Sequence, residues 1–380
     1  MTKIYLIRHG EAEGNLYRLW QGHWDGRITP LGYKQIDALS GRFKDVHLDA
    51  LYSSDLKRAV TTAGAITRFH DLKMHTTPRL REINCGPWEG MPFGNVEHDF
   101  PVEMSYFNSD PDKWRISGAE TFAQCRERIL SVLTDIARAN DGKTVAVVSH
   151  GMAIRTILAY FLGVGSGDIR SIPHGDNTCV ALLDYDGERF SVEYYNDNSH
   201  LPEEISTFAK QTWWKQENGR DRFNLRDEVL DPRADAKLYS DCYADAWRAA
   251  HGTETGFVAA PYLTAAANHH AADPRSVLKI YSLEDFAGIL DLDPLRGSHA
   301  GYGWITLLYL APEFRSKNLA VQLLGRAVCY YEERGMRSVR LHVASDNPRA
   351  VEFYRKNGFS AINVESGLIS DLLLMEKSLV

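Results

Sequence analysis

Short apolar runs alternate with amphipathic stretches along the first half of the chain. Apolar runs typical of buried strands cover residues 3–7, 50–53, 144–149, 179–184 and 190–195. Between them, apolar residues recur with the helical period over 30–43, 55–69, 120–139 and 152–162. This alternation predicts an α/β fold in which helices cover both faces of one sheet. Asp186 and Gly187, between the last two runs, predict a hairpin turn.

The second half of the chain also mixes strand and helix patterns. Strands are predicted in FNLRDEVL, YGWITLLYL and SVRLHVAS. Helices are predicted in DAKLYSDCYADAWRAAHG, SKNLAVQLLGRAVCYYEERG and NPRAVEFYRKNG, each ended by a glycine, which is a common helix stop. The segment SVLKIYSLEDFAGILDLD carries both signals, and the chain closes on an apolar stretch, LISDLLLMEKSL.

Polar, turn-rich sequence separates the two halves. A chain of 380 residues exceeds the usual size of a single core, so two domains are expected. We predict one domain over 1–205, a linker over 206–221 and a second domain over 222–380. Trp213 and Trp214 fall in the linker, and we expect them to pack between the domains and not to bind a ligand.

Composition and charge argue against several classes of binding partner. The net charge of −7 argues against a general nucleic-acid binder, and the sequence has no apolar run of membrane-spanning length. Met1 leads directly into a strand and not into a signal peptide. The five cysteines are scattered without a CxxC pair, as expected of free buried thiols in a reducing compartment. We therefore expect a cytoplasmic protein with no nucleic-acid or membrane partner.

Cationic side chains follow three of the predicted strands in the first half. Arg8 and His9 come directly after the first strand, Arg58 lies in the helix after the second, and His150 follows the buried run TVAVVS. Because ligands of open α/β sheets bind beyond the carboxyl ends of strands, these groups are expected to meet at one rim. Two guanidinium and two imidazole groups repel each other unless an anion joins them. A phosphoryl group fits, since arginine binds its oxygens bidentately.

An imidazole can also attack phosphorus and form a covalent phosphoenzyme. The leaving oxygen then needs a proton donor, and the loop LREINCGPWEG offers Glu82 and Glu89. We favour Glu82 and keep Glu89 as the rival, because a sequence does not show where side chains point. Asn15 and the backbone amides near Gly10 are expected to supply neutral donors to the phosphate.

Five motifs in the first half resemble one family. They are LIRHGEAEGN, ITPLG, SSDLKRAVTTA, LREINCGPWEG and VVSHGMAIR, and their order and spacing resemble the histidine phosphatase superfamily, also called phosphoglycerate-mutase-like, over roughly residues 1–200. The resemblance implies a three-layer α/β/α fold with neither a metal nor an organic cofactor. It also implies a phosphorylated nucleophile, His9, a proton donor, Glu82, and a phosphate pocket of Arg8, Asn15, Arg58 and His150.

Two questions about this half stay open. Mutases of the superfamily carry larger insertions around the site than this half has room for, so we favour a phosphatase and keep a phosphate mutase as an alternative. The segment 86–117 is long and aromatic without clear periodicity. It is interpreted either as a lid that selects the substrate or as a loop packed by its own aromatic side chains.

The second half resembles the GNAT acyltransferase superfamily over roughly residues 222–380. The segment WITLLYLAPEFRSKNLAVQLLGRAV reads as a strand, a basic turn and a helix N-terminus, where free amides bind phosphate, and SDNPRAVEFYRKNGF follows the next strand. The resemblance implies an α+β fold with a central mixed sheet that opens for acetyl-CoA, and a tyrosine, Tyr354, that protonates the leaving thiolate. The implied cofactor-binding residues are Leu308, Leu310, Arg315, Lys317, Asn318, Ala320 and Asn347.

One position departs from the family pattern. Asn318 stands where the pattern Arg/Gln-x-x-Gly-x-Gly/Ala has its first glycine. Glycine lets a backbone approach phosphate closely, whereas asparagine tolerates left-handed geometry but adds a side chain. Weaker coenzyme A binding follows as an expectation. His269 and His270 are expected on an exposed loop and not at a metal, because no third ligand is evident.

These observations lead to one main hypothesis and one alternative for the second domain. The main hypothesis is a bifunctional enzyme that hydrolyses a small phosphomonoester and transfers an acetyl group from acetyl-CoA to a small amine. In the alternative, the second domain binds acyl-CoA or acts as a scaffold without catalysis.

Overall fold

The computed structural model describes residues 1–210 and 222–380, which form two compact units. Of these residues, the first unit takes 1–91 and 96–210, and the second takes 92–95 and 222–380. Trp213, Trp214 and most of the predicted linker lie outside the described residues. The predicted boundaries at 205 and 222 stay predictions. Within the described ranges, no helix is both long and apolar enough to cross a membrane.

A six-stranded sheet forms the centre of the first unit. Its strands are β1 (Thr2–Arg8), β2 (Ala50–Ser53), β3 (Met74–Thr76), β4 (Thr144–Ser149), β5 (Val180–Tyr185) and β6 (Phe190–Asp197), in the spatial order β3-β2-β4-β1-β5-β6. β1 to β4 are parallel, and β5 and β6 run antiparallel to their neighbours. The carboxyl ends of β1, β2 and β4 therefore meet at one edge.

The part of the chain up to residue 210 contains eight α-helices. They are α1 (Glu13–Tyr17), α2 (Pro30–Phe43), α3 (Lys57–Ile66), α4 (Phe93–Asp99), α5 (Pro101–Ser109), α6 (Phe122–Ala139), α7 (Gly151–Phe161) and α8 (Thr207–Lys210), and the first residues of α4 belong to the second unit. Local chemistry sets their starts: the Thr29 hydroxyl caps α2, and Thr121 with Gln124 forms a capping box at α6. The buried apolar faces of α2 and α3 meet β1, β2 and β4 in a shared core.

The aromatic side chains of segment 86–117 are packed together. Trp88 and Trp114 are fully buried, and their ring centroids lie 5.5 Å apart. Phe107 contacts both rings edge-on or tilted, at 5.3 to 6.1 Å. Helices α4 and α5 occupy part of this segment. The arrangement supports the second of the two interpretations, a segment held by its own aromatic side chains.

A seven-stranded mixed sheet forms the centre of the second unit. Its strands are β7 (Leu225–Val229), β8 (Val277–Ser282), β9 (Asp285–Asp293), β10 (Tyr302–Leu310), β11 (Ser338–Ala344), β12 (Ser360–Glu365) and β13 (Leu372–Ser378), in the order β12-β13-β11-β10-β9-β8-β7. The helices are α9 (Ala236–His251), α10 (Ala259–Ala272), α11 (Ala320–Glu332) and α12 (Pro348–Lys356). β10 and β11 are parallel, whereas the other neighbouring strands are antiparallel.

The sheet opens between β10 and β11. The two strands pair only from Tyr302 opposite Ser338 to Ile305 opposite Leu341. Beyond that point both strands continue, but no pairing between them occurs among the described residues. On its other side, β10 shifts register against β9 between Ile305 and Leu307, which marks an irregularity at the same level. A gap therefore widens from Ile305 toward the carboxyl end of β10.

His269 lies in a buried network, so the predicted exposed loop was wrong. It belongs to α10, and its Nδ1 lies 2.7 Å from Asp291 Oδ1 while its Nε2 lies 3.3 Å from Asp293 Oδ2. The Tyr239 hydroxyl donates to the other oxygen of Asp291 at 2.6 Å. This network could not be predicted from the sequence because the partner carboxylates are distant from His269 along the chain. The network fastens α9 and α10 to β9.

This network predicts pH-dependent stability. Burial lowers the pKa of His269, but the hydrogen-bonded carboxylates of Asp291 and Asp293 outweigh burial and raise it to about 9. A group with a folded pKa above its unfolded value near 6.5 stabilises the fold below pH 6.5, and this contribution disappears as the pH rises through 9. Burial also raises the pKa of Asp291, which offsets part of this gain, so we expect His269→Gln to remove less than about 3 kcal/mol of pH-dependent stability, since one pKa unit is worth about 1.4 kcal/mol.

Urea denaturation of the full chain at pH 6, 8 and 10 measures this effect. The difference between wild type and His269→Gln should be largest at pH 6 and shrink by pH 10. His299→Gln, which removes an exposed imidazole from the same unit, should show no such trend. A difference that stays constant over this pH range would contradict the assignment of a charged His269.

Candidate active sites

The structure brings His9 and His150 together at the carboxyl edge of the first sheet. Arg8, the last residue of β1, pairs with Ser149, the last residue of β4, so the residues that follow the two strands are neighbours. The His9 backbone N–H donates to the Ser149 carbonyl at 3.1 Å, and the centroids of the two imidazole rings lie 5.1 Å apart. The topology alone thus brings together two groups that are distant in sequence.

His9 has one ring nitrogen engaged and one available. Its Nδ1 lies 2.7 Å from the Gly10 carbonyl, an acceptor that requires a proton on Nδ1 and leaves Nε2 with its lone pair. Burial, followed by the charges of Arg58 and Arg8, lowers the pKa of His9 well below its usual value. The ring is therefore neutral at neutral pH, as a nucleophile must be.

His150 is a buried imidazole whose two nitrogens have no hydrogen-bond partner among the described residues. It is the N-cap residue of α7, and burial together with the charge of Arg58 lowers its pKa well below the usual value. Buried polar atoms are normally paired, so an unpaired ring facing a second histidine indicates a place for a ligand.

The arginines are partly held by backbone carbonyls. Arg58 is fully buried, and its terminal nitrogens donate to the carbonyls of Gln21, Gly22 and Trp24, at 2.7 to 3.2 Å. Burial lowers its pKa to about 10. Its Nε has no partner among the described residues, and the same holds for Nε of Arg8, whose Nη1 donates to the Gly175 carbonyl. The two Nε groups are thus buried guanidinium donors without a protein acceptor among the described residues.

Glu82 contacts the turn that follows His150. Its carboxylate accepts the backbone N–H groups of Met152 and Ala153 at 2.8 and 2.7 Å, and that of Ile83 at 2.9 Å. The carboxylate thus caps the N-terminus of α7, the helix that His150 precedes. Its side chain is 8% exposed.

Glu89 also accepts three backbone N–H groups, but these belong to a different loop. The donors are His23, Trp24 and Cys85, at 2.7 to 2.9 Å. Because Arg58 holds the carbonyl of Trp24 and Glu89 holds its N–H, these two residues together shape the 21–24 loop. Glu89 therefore has a positioning task, whereas Glu82 lies beside the residues that follow His150.

The expected neutral donors are mostly engaged. The Gly10 N–H donates to the Thr62 hydroxyl at 3.0 Å, so this amide is not free for phosphate as the sequence suggested. Asn15 Oδ1 accepts from Ala12 N–H at 3.1 Å, which leaves the Asn15 amide nitrogen for a ligand. Thr62 lies inside the motif SSDLKRAVTTA, one helical turn after Arg58, but its partner Gly10 belongs to another motif, so its role could not be predicted from the sequence.

Asn177 is a second residue that the sequence analysis missed. Its Nδ2 donates to the His9 carbonyl at 3.1 Å, and the backbone N–H of Thr178 donates to the same carbonyl at 3.2 Å. Thr178 has a φ of +61°, an uncommon value for a β-branched residue. The sequence GDNTC carried no periodic signal, so only the fold shows that this turn holds the backbone of His9.

The second unit contains a row of free amides. Among the described residues, no acceptor binds the backbone N–H groups from Ser316 to Val321, which lead into α11. Ser316 and Asn318 adopt left-handed backbone angles, with φ of +63° and +58°. Asn318 therefore adopts a left-handed conformation, which asparagine tolerates better than most residues. Lys317 is exposed beside it, and Ala320 is the first residue of α11.

The gap in the sheet leaves backbone groups of β10 without a partner on β11. The Ala311 N–H donates across to Ala287 at 2.9 Å, so by the alternation of a strand the amides of Leu308 and Leu310 point to the opposite side, toward the gap. Arg315 differs from the expectation: it binds the Leu310 carbonyl and the Asp245 carboxylate. Two of its guanidinium nitrogens are thus bound inside the domain, whereas the other predicted cation, Lys317, is exposed.

The two remaining predicted cofactor residues follow β11. Asn347 caps α12, since its Oδ1 accepts from Ala350 N–H at 3.1 Å, and its Nδ2 is left for a ligand. Tyr354 lies on α12 with its ring against Phe353 and Phe359, and burial raises the pKa of its hydroxyl. The hydroxyl is therefore protonated at neutral pH. Within the described ranges, no cluster of histidine, cysteine or acidic residues is arranged to hold a metal.

The chain belongs to the histidine phosphatase superfamily (branch 1), whose family model matches residues 4–198. A second model, that of the GNAT acetyltransferase family, matches residues 237–359. Both findings confirm the two predicted domains and their order along the chain.

Individual relatives match the first domain. Phosphoserine phosphatase 1 of Hydrogenobacter thermophilus is 30% identical over 203 residues, which are 53% of this chain and 96% of that protein. The probable phosphoglycerate mutase GpmB of Yersinia pestis is 29% identical over 206 residues, 53% of this chain and 95% of that protein. The solved structure of YhfR from Bacillus stearothermophilus is 31% identical, covers 53% of this chain and 99% of its own, and superposes with a TM-score of 0.51.

Proposed function

We propose that the first domain hydrolyses small phosphomonoesters through a phosphohistidine at His9. The observation that carries the proposal is the pairing of His9 with His150, 5.1 Å apart between ring centroids, where the Gly10 carbonyl directs the free lone pair to Nε2 of His9. A neutral buried imidazole with one nitrogen fixed is preorganised for attack on phosphorus.

The reaction follows from these groups. Nε2 of His9 forms a bond to phosphorus while the bond from phosphorus to the ester oxygen breaks, and Glu82 protonates the departing oxygen. Arg8, Arg58 and His150 stabilise the charge of the transferring group. Water then attacks the phosphohistidine, gives its proton to Glu82 and releases inorganic phosphate. Glu82 is preferred as donor because its carboxylate binds the turn directly after His150.

Hydrolysis and phosphate transfer remain two outcomes of the same intermediate. The similar proteins include one named a phosphoserine phosphatase and one named a probable phosphoglycerate mutase, so the first screen should contain phosphoserine and phosphoglycerates. Release of inorganic phosphate supports the phosphatase. Transfer of the label between positions of a phosphoglycerate, without release, would instead support the mutase.

For the second domain, we propose acetyl transfer from acetyl-CoA to a small amine. The free amides of Ser316 to Val321 and the exposed Lys317 fit a pyrophosphate, and the gap beside Leu308 offers backbone groups to an extended arm. When bound, acetyl-CoA supplies an activated acetyl thioester. The protonated hydroxyl of Tyr354 is suited to give a proton to the departing sulphur.

The backbone angle of Asn318 yields a prediction for coenzyme A affinity. Asn318→Gly keeps the left-handed geometry and removes a side chain near the amides, so we expect binding to tighten severalfold. Asn318→Val places a β-branched residue at a positive φ, which costs about 1–2 kcal/mol, and we expect binding to weaken about tenfold. Calorimetric titration with coenzyme A measures both variants. Equal affinities for all three proteins would show that this turn does not hold the pyrophosphate.

The same titration separates the catalytic from the non-catalytic interpretation of this domain. The wild-type chain is titrated with acetyl-CoA and then assayed for acetyl transfer to a panel of primary amines. Binding together with transfer supports the acetyltransferase. Tight binding without transfer to any amine would favour a domain that binds acyl-CoA without catalysis.

A further inference from the structure

His342 occupies a particular place at the narrow end of the gap. The pairing of β10 with β11 ends at Leu341, so His342 is the first residue of β11 without a partner on β10. On its other side it still pairs with Leu374 of β13. The imidazole therefore projects from the strand at the level where the two halves of the sheet begin to separate.

The ring lies on the sheet face opposite α11. A Cβ on Gly303 would meet the ring of Tyr331 from α11 at 2.2 Å, so Gly303 faces that helix and Trp304 faces away from it. Trp304 is paired with Arg340, and His342 is two residues further along the same strand, hence on the same face. The rings of Trp304 and His342 are in contact, with centroids 4.8 Å apart.

This placement separates two approaches to the gap. The free amides at the start of α11 lie with that helix, whereas His342 faces the other side of the sheet. An extended arm that enters from the α11 side and passes through the gap would present its end to the face that carries His342. An acceptor on that face would then approach without crossing the cofactor.

Charged groups hold the ring on two sides. Glu365 of β12 has its Oε2 3.1 Å from Nε2 of His342, out of line for a hydrogen bond, and the ring is 24% exposed. Arg296 stacks on Trp304 with its guanidinium 3.3 Å from the ring centroid. Arg340 lies two residues earlier on the same face and is bound to Glu376 of β13. Burial lowers the pKa of His342, Glu365 raises it and Arg296 lowers it further, with a net decrease.

We propose that His342 is the general base that takes the proton from the acceptor amine, a role that rests on the proposed acetyl transfer. With Nε2 beside Glu365, the nitrogen that accepts the proton is Nδ1, and the Glu365 carboxylate stabilises the imidazolium that forms. Apo sites often hold such contacts loosely aligned, and they tighten when substrate binds. In this arrangement the nitrogen of the acceptor amine docks beside Trp304 and His342.

The transfer balances with two protein groups. The amine nitrogen forms a bond to the acetyl carbon as the carbon–sulphur bond breaks. His342 takes the proton that the nitrogen loses, and Tyr354 supplies the proton that the sulphur gains. Solvent then restores both side chains, so the net products are an amide and a thiol.

His269 is the other histidine near this level of the sheet, but it does not suit the role. It is buried and bridges Asp291 and Asp293, which raise its pKa to about 9 and keep it charged at neutral pH. A charged imidazole that already donates to carboxylates cannot accept a proton. His342 is neutral under the same conditions and partly exposed.

The first test uses His342→Gln, which keeps a polar side chain of similar size. We expect kcat/KM for acetyl transfer to fall about 10²- to 10⁴-fold, the range of general base catalysis, with coenzyme A affinity within threefold of wild type. The rate should also lose the rise with pH that wild type shows. Phosphate release by the first domain and the thermal midpoint serve as controls for folding.

The second test reads the ring itself, without acetyl transfer. In wild-type chain labelled on histidine carbon, NMR titration gives the pKa of His342. We expect Glu365→Gln to lower that pKa and Arg296→Gln to raise it, whereas Arg296→Lys, which keeps the charge, leaves it near the wild-type value. The pH at which acetyl transfer is half-maximal should move in the same directions as the NMR values.

The outcomes separate this inference from the function on which it rests. If wild type acetylates an amine but His342→Gln retains its activity within threefold and its pH dependence, the inference fails and acetyl transfer stands. If wild type binds coenzyme A without transferring to any amine, the acetyltransferase fails and the role of His342 falls with it. Opposite pKa shifts in the two charge variants, matched by the pH–rate profile, would support the proposal.

Discussion

His9→Ala should reduce phosphomonoester hydrolysis by about 10⁴-fold or more while the protein remains folded. Removal of a nucleophile that forms the covalent intermediate abolishes the route itself, and such losses in other enzymes reach this size. His150 remains in this variant, but it loses its neighbouring ring and does not replace His9 as the nucleophile. Initial rates of phosphate release from an aryl phosphate measure the loss.

A matched control removes an imidazole from the same unit without touching the site. His47 lies at the surface with its side chain 83% exposed, next to Asp49, and His47→Ala should retain wild-type rates. Circular dichroism and the thermal midpoint confirm that both variants fold. If His9→Ala kept activity within tenfold of wild type, His9 would not be the nucleophile and the proposed mechanism would be wrong.

Glu82→Gln should slow poor leaving groups far more than activated ones. An alkoxide needs a proton as it departs, so loss of the donor should cost about 10²- to 10⁴-fold with an alkyl phosphate. A nitrophenolate leaves without help, and its kcat/KM should fall less than tenfold. The measurement uses a series of phosphate esters that differ in leaving-group pKa. In Glu82→Gln, kcat/KM should depend more steeply on the leaving-group pKa than in wild type.

Glu89→Gln provides the comparison, because Glu89 also accepts three backbone N–H groups. Its loss should loosen the 21–24 loop held by Arg58 and slow all esters by a similar factor. If the two variants behaved in the opposite way, with leaving-group dependence only in Glu89→Gln, the proton donor would be Glu89. Equal slowing of all esters by Glu82→Gln would reduce Glu82 to a residue that positions α7.

The sequence predicted the parts of the fold that depend on local pattern. The bounds of β2, β4 and α2 coincide with the predicted 50–53, 144–149 and 30–43, since each is a clear apolar run or is fixed by a cap such as Thr29. β3 was missed because it has only three residues, largely exposed. α10 was missed because its first turns are rich in alanine and carry little periodic signal.

The candidate site was predictable where it depends on topology. His9 and His150 each follow a buried strand, and parallel neighbouring strands bring them together. The directions of long side chains were not predictable. Arg58 gives its terminal nitrogens to loop carbonyls, and Arg315 pairs with Asp245, because burial requires partners that lie far away in sequence.

The roles of residues outside the motifs could not be predicted from the sequence either. Asn177 holds the backbone of His9, and His342 lies at the end of the pairing between β10 and β11. Neither position has a periodic or spacing signal, because its role depends on where a strand ends relative to a neighbour. Such roles become visible only when register and contacts are known.

The central claim is that His9 carries the phosphoryl group. The wild-type chain should be mixed with a phosphomonoester, quenched within milliseconds at alkaline pH, where phosphohistidine persists, and digested for mass spectrometry. The account predicts a phosphate on Nε2 of His9 in the peptide that contains β1, and none in the His9→Ala chain. Phosphate on any other residue, or hydrolysis that proceeds without a labelled peptide, would contradict it.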